Sequence, residues 1–584
     1  MEQPLFFTHR GARLYGVLHL PDQTVCARRV GFVLCLPLHD EGVRAYRALV
    51  EFARELAGRG FAALLFDYRG CGESEGEFEE LSLGTCAEDI RAAIELLMEE
   101  AEVDACGLVG LRLGATAAAL AASDPAVGER VSRLILWSPV VDTRGYFRDL
   151  LRSRQFTEFC CFGRTRSTMQ ALTSVLEAGE AVDLQGYRVG RQLYQECVLA
   201  PPLEGAWSYQ GDALIVDVLT KTGRDKSVSR LWQTISSANI RAAYRTVPGY
   251  PFWEIPRVAM PTALYETTFR WIESLPRDTL NLHPTMLSNP RLRTRQSVSA
   301  SAGGSPFSMD EQEGIDGHRA GMIAEPMTER PVSIRVQGKA LIGTLHYPEL
   351  ERRDGTTGGI VVVGGGLYRR SGLHRIFVAA ARAFARVGFV VLRVDQPGLG
   401  DSEGVFQNFR NGEGERYNVD EARTAVEYLL KEIGLNEVTI LGQCHGAKTA
   451  VLTALDDARV RRLILWSMPM VSVNLGEDRT VAIEETQGPD GGPFERVLDA
   501  FVASKRETLL VYGEKDPAFA DFEGFLRRRG LRTEEIDSEI PQWEAHRIPY
   551  ANHDFTTVGW TEEAIQRSLR WLVARQQSDG LFVE

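Results

Sequence analysis

The feature that most constrains this chain is that it repeats itself. "GVLHLPD" at 16–22 returns as "GTLHYPE" at 343–349, and "RGFAALLFDYRGCGESEG" at 59–76 returns as "VGFVVLRVDQPGLGDSEG" at 387–404. "RLILWS" at 133–138 recurs letter for letter at 462–467. The matches keep their order and nearly their spacing, so the chain holds two copies of one domain. Its 584 residues exceed what one core accommodates, at roughly 150 residues per domain with latitude for larger α/β folds. Residues 1–288 and 323–584 are the expected copies. Between them, 289–322 is rich in Ser, Gly and charge without an apolar period, and reads as a flexible linker.

Within each copy, short Val/Ile/Leu/Phe runs alternate with longer amphipathic stretches. In the second copy "GIVVVGGG", "FVVLRVD" and "EVTILG" predict strands. "LHRIFVAAARAFARVG" predicts a helix ending at Gly388, and "NVDEARTAVEYLLKEIG" a helix with Asp420 and Glu421 in its first turn. Strands this apolar are buried on both faces, which means a parallel sheet covered by helices. The expected class is therefore α/β: two tandem domains, each a mostly parallel sheet with helices on both faces.

After "EVTILG" comes "GQCHG", residues 442–446, and then the helical "AKTAVLTAL". A nucleophile on a tight strand-to-helix turn sits in strained backbone, and the residues two before and two after it must lack bulk; Gly442 and Gly446 meet that demand. Cys444 also precedes a helix, whose N-terminal dipole and free N–H groups favour thiolate over thiol. The segment resembles the nucleophile elbow of the α/β hydrolases, with Cys in the Ser position. That resemblance implies an acid and then a histidine further along. "TLLVYGEKDPAF" offers Asp516 at a strand end, and "RIPYANHDF" offers His553 just before the last helix, "EEAIQRSLRWLVAR". A cysteine proton needs a base, and the imidazole needs a carboxylate to fix its tautomer, so Cys444, His553 and Asp516 are the expected catalytic set. His546 is expected to be structural. The backbone N–H of His445 is the first expected oxyanion donor, and the second comes from "GGGLY", where Gly366 and Leu367 share the assignment. The Gly-rich "DQPGLGDSEG" is expected to be a structural turn that braces the oxyanion loop.

The first copy keeps the scaffold without the chemistry. "GLRLGA" retains Gly110 and Gly114 around Arg112, and guanidinium yields no nucleophile at useful pH. The position matching Asp516 falls near Lys221, with Asp225 further on, and "PGYPFWE" at 248–254 has no histidine. A degenerate, pseudoenzyme domain is expected. Arg112, with His39 of "PLHDEG", either holds a carboxylate or phosphate of a ligand or forms an internal salt bridge that fills the pocket. "GLRLGA" with "FDYRGCGES" resembles the arginine-bearing hydrolase of the exosortase A-associated pair. A long insertion, about 147–210, is read as a cap that closes over, or docks beside, the site of the second copy. The equivalent stretch there, about 469–506, is shorter and contains "TQGPDGGPF".

The Cys–His–Asp set on this fold resembles dienelactone hydrolases, which hydrolyse, and polyhydroxyalkanoate synthases and bile-acid-CoA N-acyltransferases, which transfer. The first expectation is hydrolysis of an ester or thioester. The second is transfer of an acyl group from a CoA- or carrier-linked donor to an amine or alcohol, and a third, of another class, is a non-catalytic ligand-binding scaffold. The partner is then a small-molecule or carrier-linked acyl substrate. A net charge of −13 argues against nucleic acid, since phosphate neutralisation needs clustered Lys and Arg. The start, "MEQPLFFTHRGARLYG", lacks a signal pattern, and no apolar run reaches the ~18 residues of a membrane span, so a cytoplasmic protein is expected. Nine cysteines without regular spacing make no disulfide framework, and the eight other than Cys444 are expected to be small buried hydrophobes. Neither metal nor cofactor is expected, because no His/Asp/Cys cluster has ligand spacing.

Overall fold

A computed structural model describes residues 1–275 and 329–578, apart from residue 23 and parts of 200–207, 220–225, 238–240, 255–257, 349–357, 407–417 and 471–492. The expected linker, Lys221 and Asp225 lie outside the described residues, as do parts of the second copy's insertion between 471 and 492.

Each copy builds an eight-stranded sheet. The first contains β1 (Glu2–His9), β2 (Ala12–His19), β3 (Val30–Cys35), β4 (Ala63–Phe66), β5 (Ala105–Leu111), β6 (Val131–Trp137), β7 (Asp212–Leu219) and β8 (Ala242–Pro248). The second contains β9 (Glu329–Val336), β10 (Lys339–His346), β11 (Gly359–Val363), β12 (Val390–Val394), β13 (Val438–Gln443), β14 (Val460–Trp466), β15 (Glu507–Gly513) and β16 (Trp543–Ile548). Spatial order is β1-β2-β4-β3-β5-β6-β7-β8, repeated strand for strand in the second sheet. The hairpin β1–β2 and the pair β2–β4 are antiparallel and the remaining pairs parallel, as are their counterparts. Even the register irregularity at the start of β5, between Cys106 and Gly107, recurs at the start of β13, between Val438 and Thr439.

The apolar runs are continuous because helices cover both faces. In β11, Val361 and Val363 enter one buried layer while Ile360 and Val362 enter the other. The helix read from Leu373 begins instead at Ile376, with His374 (φ 39°) and Arg375 (φ 60°) outside helical geometry. The reason is Arg375, which is drawn away to donate to the carbonyls of Gly72, Ser74 and Gly76 in the first copy. His546 lies inside β16, and its Nε2 meets Glu563 at 2.9 Å. Of the eight cysteines expected to be buried, Cys26 and Cys160 are exposed and Cys71 is partly so.

The two copies meet through the glycine-rich turns that follow β4 and β12. Glu73 takes two hydrogen bonds from Arg393 (2.9 and 2.6 Å) and one from Thr344 (2.9 Å). Reciprocally, Asp401 accepts from Tyr15 (2.9 Å), Tyr46 (2.8 Å) and Arg370 (2.9 Å). Asp67 holds Arg369 through both carboxylate oxygens, at 2.8 and 2.7 Å. All these charged groups are buried, where an ion pair is tolerated only when nearly every donor and acceptor is met. Burial alone raises the Glu73 carboxyl, but Arg393 and Arg370 overcome it and hold the group well below the usual carboxylate range.

The insertion of the first copy starts at Thr143, slightly ahead of the expected boundary. It comprises the helices Thr143–Phe162 and Met169–Ala178 and a hairpin of Val182–Leu184 with Tyr187–Val189. It docks on the second copy. Phe162 packs 5.1 Å from Tyr550 and 6.3 Å from Trp560, centroid to centroid, and Asp183 accepts from the N–H of Val558 at 2.9 Å. Among the described residues no helix is long and apolar enough to cross a membrane.

Candidate active site

At the end of β13 the chain turns abruptly into the helix His445–Asp456, with Cys444 at φ 53°, ψ −122°. Such an angle strains any residue with a Cβ, and the turn closes only because its flanks are bare. A Cβ on Gly442 would stand 2.6 Å from the Cα of Ala447, and one on Gly446 would stand 2.7 Å from the carbonyl of Gly364. Gly365 faces the turn from the loop after β11, where a Cβ would stand 2.7 Å from that of Cys444.

Beyond β15, Asp516 caps the helix Pro517–Arg528, and its Oδ1 accepts both the N–H of Ala518 (2.8 Å) and Nδ1 of His553 (2.8 Å). Asp516 is buried, while the imidazole of His553 remains one-third exposed, 32%. Burial alone would push the imidazole down, but the nearby Cys444 and the Asp516 carboxylate hydrogen-bonded to it carry it well above its ordinary value. The structure thus brings His553 and Asp516 into direct contact, with Cys444 among the groups that act on the imidazole. The Oγ of Ser467 donates to the carbonyl of His553 at 2.8 Å and fixes that loop to the end of β14.

His445 opens the helix behind Cys444, and Gly366 (φ 68°) and Leu367 lie in the loop after β11. Gln396, from the turn after β12, donates to the carbonyl of Gly364, in keeping with a bracing role for that turn. Two neighbours were not picked out in the sequence. Burial raises the Tyr368 hydroxyl, with Asp554 adding to it and Cys444 nearby. Burial likewise raises the Asp554 carboxyl, with His553 opposing and Asp40 adding. Asp40 belongs to the first copy, so its helix His39–Gly58 reaches this site. A cleft between the copies is lined by Val43, Arg44 and Tyr46 on one side and Leu367, Tyr368 and Leu399 on the other. Adjacency to "GGGL" and to "NHDF" was the available signal for Tyr368 and Asp554; nothing local marks Asp40.

At the matching turn of the first copy, Arg112 (φ 55°, ψ −124°) has its Nε 3.1 Å from Glu41, whose other oxygen accepts from Tyr146 at 3.1 Å. Its guanidinium lies 5.2 Å from the ring centroid of Trp253, on the loop that in the second copy carries His553. His39 meets the carbonyl of Leu184 at 2.9 Å and packs on Tyr187 at 4.2 Å. Both residues are engaged within the first copy.

Two family models match, one to each copy. The model described as "Serine aminopeptidase, S33" matches residues 42–175, and that described as "alpha/beta hydrolase fold" matches 360–487. Each copy has the α/β-hydrolase fold. Solved structures similar to this tandem hydrolase-fold chain include three. One is Est1E from Butyrivibrio proteoclasticus with bound ferulic acid (18% identity, 42% of this chain and 98% of that one, TM-score 0.31). Another is a dienelactone hydrolase from Anabaena variabilis (18%, 42% and 97%, 0.29). The third is the Pyrococcus furiosus esterase Pf2001 (15%, 42% and 92%, 0.32).

Proposed function

We propose that the second copy is a cysteine-nucleophile acyl-transfer enzyme that hydrolyses an ester or thioester, and that the first copy is catalytically silent. The observation that carries this reading is the 2.8 Å bond of His553 to a buried Asp516; the strained turn at Cys444 and the influence of that residue on the imidazole support it. In this reading His553 holds the proton of Cys444 while the sulfur attacks the substrate carbonyl. The tetrahedral oxyanion is held by the backbone N–H of His445 and by Gly366 or Leu367. Collapse expels the alcohol or thiol, protonated by the His553 imidazolium. Water, deprotonated by His553, then attacks the S-acyl carbon and frees the acid and the thiol. Asp516 fixes the tautomer and stabilises the imidazolium throughout. At the first turn, Arg112 supplies neither nucleophile nor base.

The test is intact-mass spectrometry after incubation with a mixed panel of p-nitrophenyl esters and acyl thioesters. The expected result is one acyl adduct on Cys444, absent from Cys444→Ala together with turnover. Released acid supports hydrolysis, and a conjugate with an added amine or alcohol assigns transfer instead. No adduct with any donor, and Cys444 no faster than a free thiol towards iodoacetamide, would leave a binding scaffold.

A further inference from the structure

We infer that the first copy positions the oxyanion loop of the second through Asp67, a positioning residue that acts by way of Arg369; the inference rests on the acyl-transfer reading of Cys444. The loop after β11 is tethered at both ends, by different copies. At its start, Gln396 of the second copy holds the carbonyl of Gly364. At its end, only two residues past Leu367, Arg369 spans the boundary between copies to both oxygens of Asp67 (2.8 and 2.7 Å) and stacks 3.9 Å from the ring centroid of Tyr46. The next carbonyl, that of Arg370, accepts from Arg393 at 3.0 Å, and Arg393 is itself anchored on Glu73. A side chain and a main-chain atom are thus both fixed by carboxylates of the first copy.

The fit leaves no slack. Asp67 and Arg369 are buried, the Nε of Arg369 donates to Ser371 at 3.0 Å, and a Cβ on Gly72 would collide with both the guanidinium and the Asp67 carboxylate. An oxyanion donor acts over a narrow range of distance, so a small drift of this loop costs rate without removing the nucleophile. The silent copy thereby contributes to turnover, though none of its atoms needs to touch the reacting carbon.

Asp67→Asn in the full-length chain separates positioning from bulk support. Three quantities are read: p-nitrophenyl ester turnover, alkylation of Cys444 by iodoacetamide, and inhibition by butyraldehyde. Alkylation is a displacement at carbon that develops no oxyanion. Butyraldehyde instead forms a hemithioacetal: the sulfur–carbon bond forms, the carbonyl π bond breaks and the thiol proton passes to the oxygen, which occupies the oxyanion position. The expected result is a fall in kcat and a weakening of butyraldehyde, each of roughly tenfold or more, with KM and alkylation unchanged within about twofold. Arg459→Lys, which loosens the pair with Asp457 (2.7 Å) ahead of β14, serves as the control for general destabilisation and leaves all three readouts in place. If Asp67→Asn does not accumulate folded, Arg369→Lys is measured in the same way. Unchanged kcat and butyraldehyde affinity, or a parallel fall of turnover and alkylation, overturns the inference. Turnover persisting in Cys444→Ala would instead overturn the acyl-transfer reading, whatever Asp67→Asn does.

Discussion

Arg112 and Cys444 share backbone angles to within a few degrees, so the same strained turn is built around two unlike side chains. What occupies the first turn is a partly buried ion pair in which burial raises the Glu41 carboxyl while Arg112 and Tyr146 draw it back. Arg112→Met leaves that carboxylate without its cation and is expected to cost about 2–3 kcal/mol in urea unfolding, towards the low end for breaking such a pair because both side chains keep some solvent contact. Arg112→Met with Glu41→Gln should cost less than the single change. At the second turn, Asp516 is one of the groups that raise His553. Expulsion of the leaving group needs the imidazolium, so the alkaline limb of kcat/KM reports loss of that proton. Asp516→Asn removes a raising influence, and the limb is expected to move to lower pH in a pH–rate profile. The elbow was readable in the sequence because its demand is local: two bare positions around a nucleophile. The pairing of His553 with Asp516 was readable because each lies in the short segment between a strand and the helix that follows it. Asp67 and Arg369 stand 302 positions apart and leave no periodic mark on either segment.

Elements behave as their apolar period dictates until another copy pulls on them. The run from Leu373 has the composition of a helix, and its first turn is lost because the Arg375 guanidinium is satisfied by three carbonyls across the boundary between copies. Propensity is a weak local preference that such tertiary bonding overrides. The insertion of the first copy shows the same dependence. Its helix ends in Phe162, with the Arg166 guanidinium 3.5 Å from that ring, and both press on Tyr550. Tyr550 lies three residues before His553, so the insertion steadies the segment that carries the proposed base. Phe162→Ala combined with Asp183→Ala is expected to speed hydrogen exchange across 549–558 and to lower kcat/KM severalfold, with the iodoacetamide rate at Cys444 altered little. Mass-resolved exchange and steady-state kinetics check both halves of that statement.

Across the whole molecule, burial keeps several histidines neutral. His19 and His374 are each lowered to about 4, by burial first, and His346 is lowered as well. An unfolded chain takes up these protons near pH 6.5, before the folded one does. The stabilisation is therefore complete above about pH 6.5 and drains away as pH falls towards 4. The backbone N–H of His374 donates to the Tyr187 hydroxyl at 3.2 Å and its ring stands edge-on to Tyr187 of the first copy, 6.3 Å between centroids, so the urea midpoint is expected to drop across this window and the copies to loosen as the ring takes up its charge. Expressed without its partner, residues 323–584 would expose Arg369 and Arg393 stripped of Asp67 and Glu73. That fragment is expected to be insoluble or markedly less stable, and co-expression with 1–288 to restore it, as size-exclusion chromatography would show.

Those cross-boundary carboxylates also bear on genetics. If Asp67 and Glu73 brace the reaction from the neighbouring half, a mutational screen scored only by loss of product would not collect its hits around the cysteine. It would scatter them over both repeats, including many positions in the one proposed to be silent.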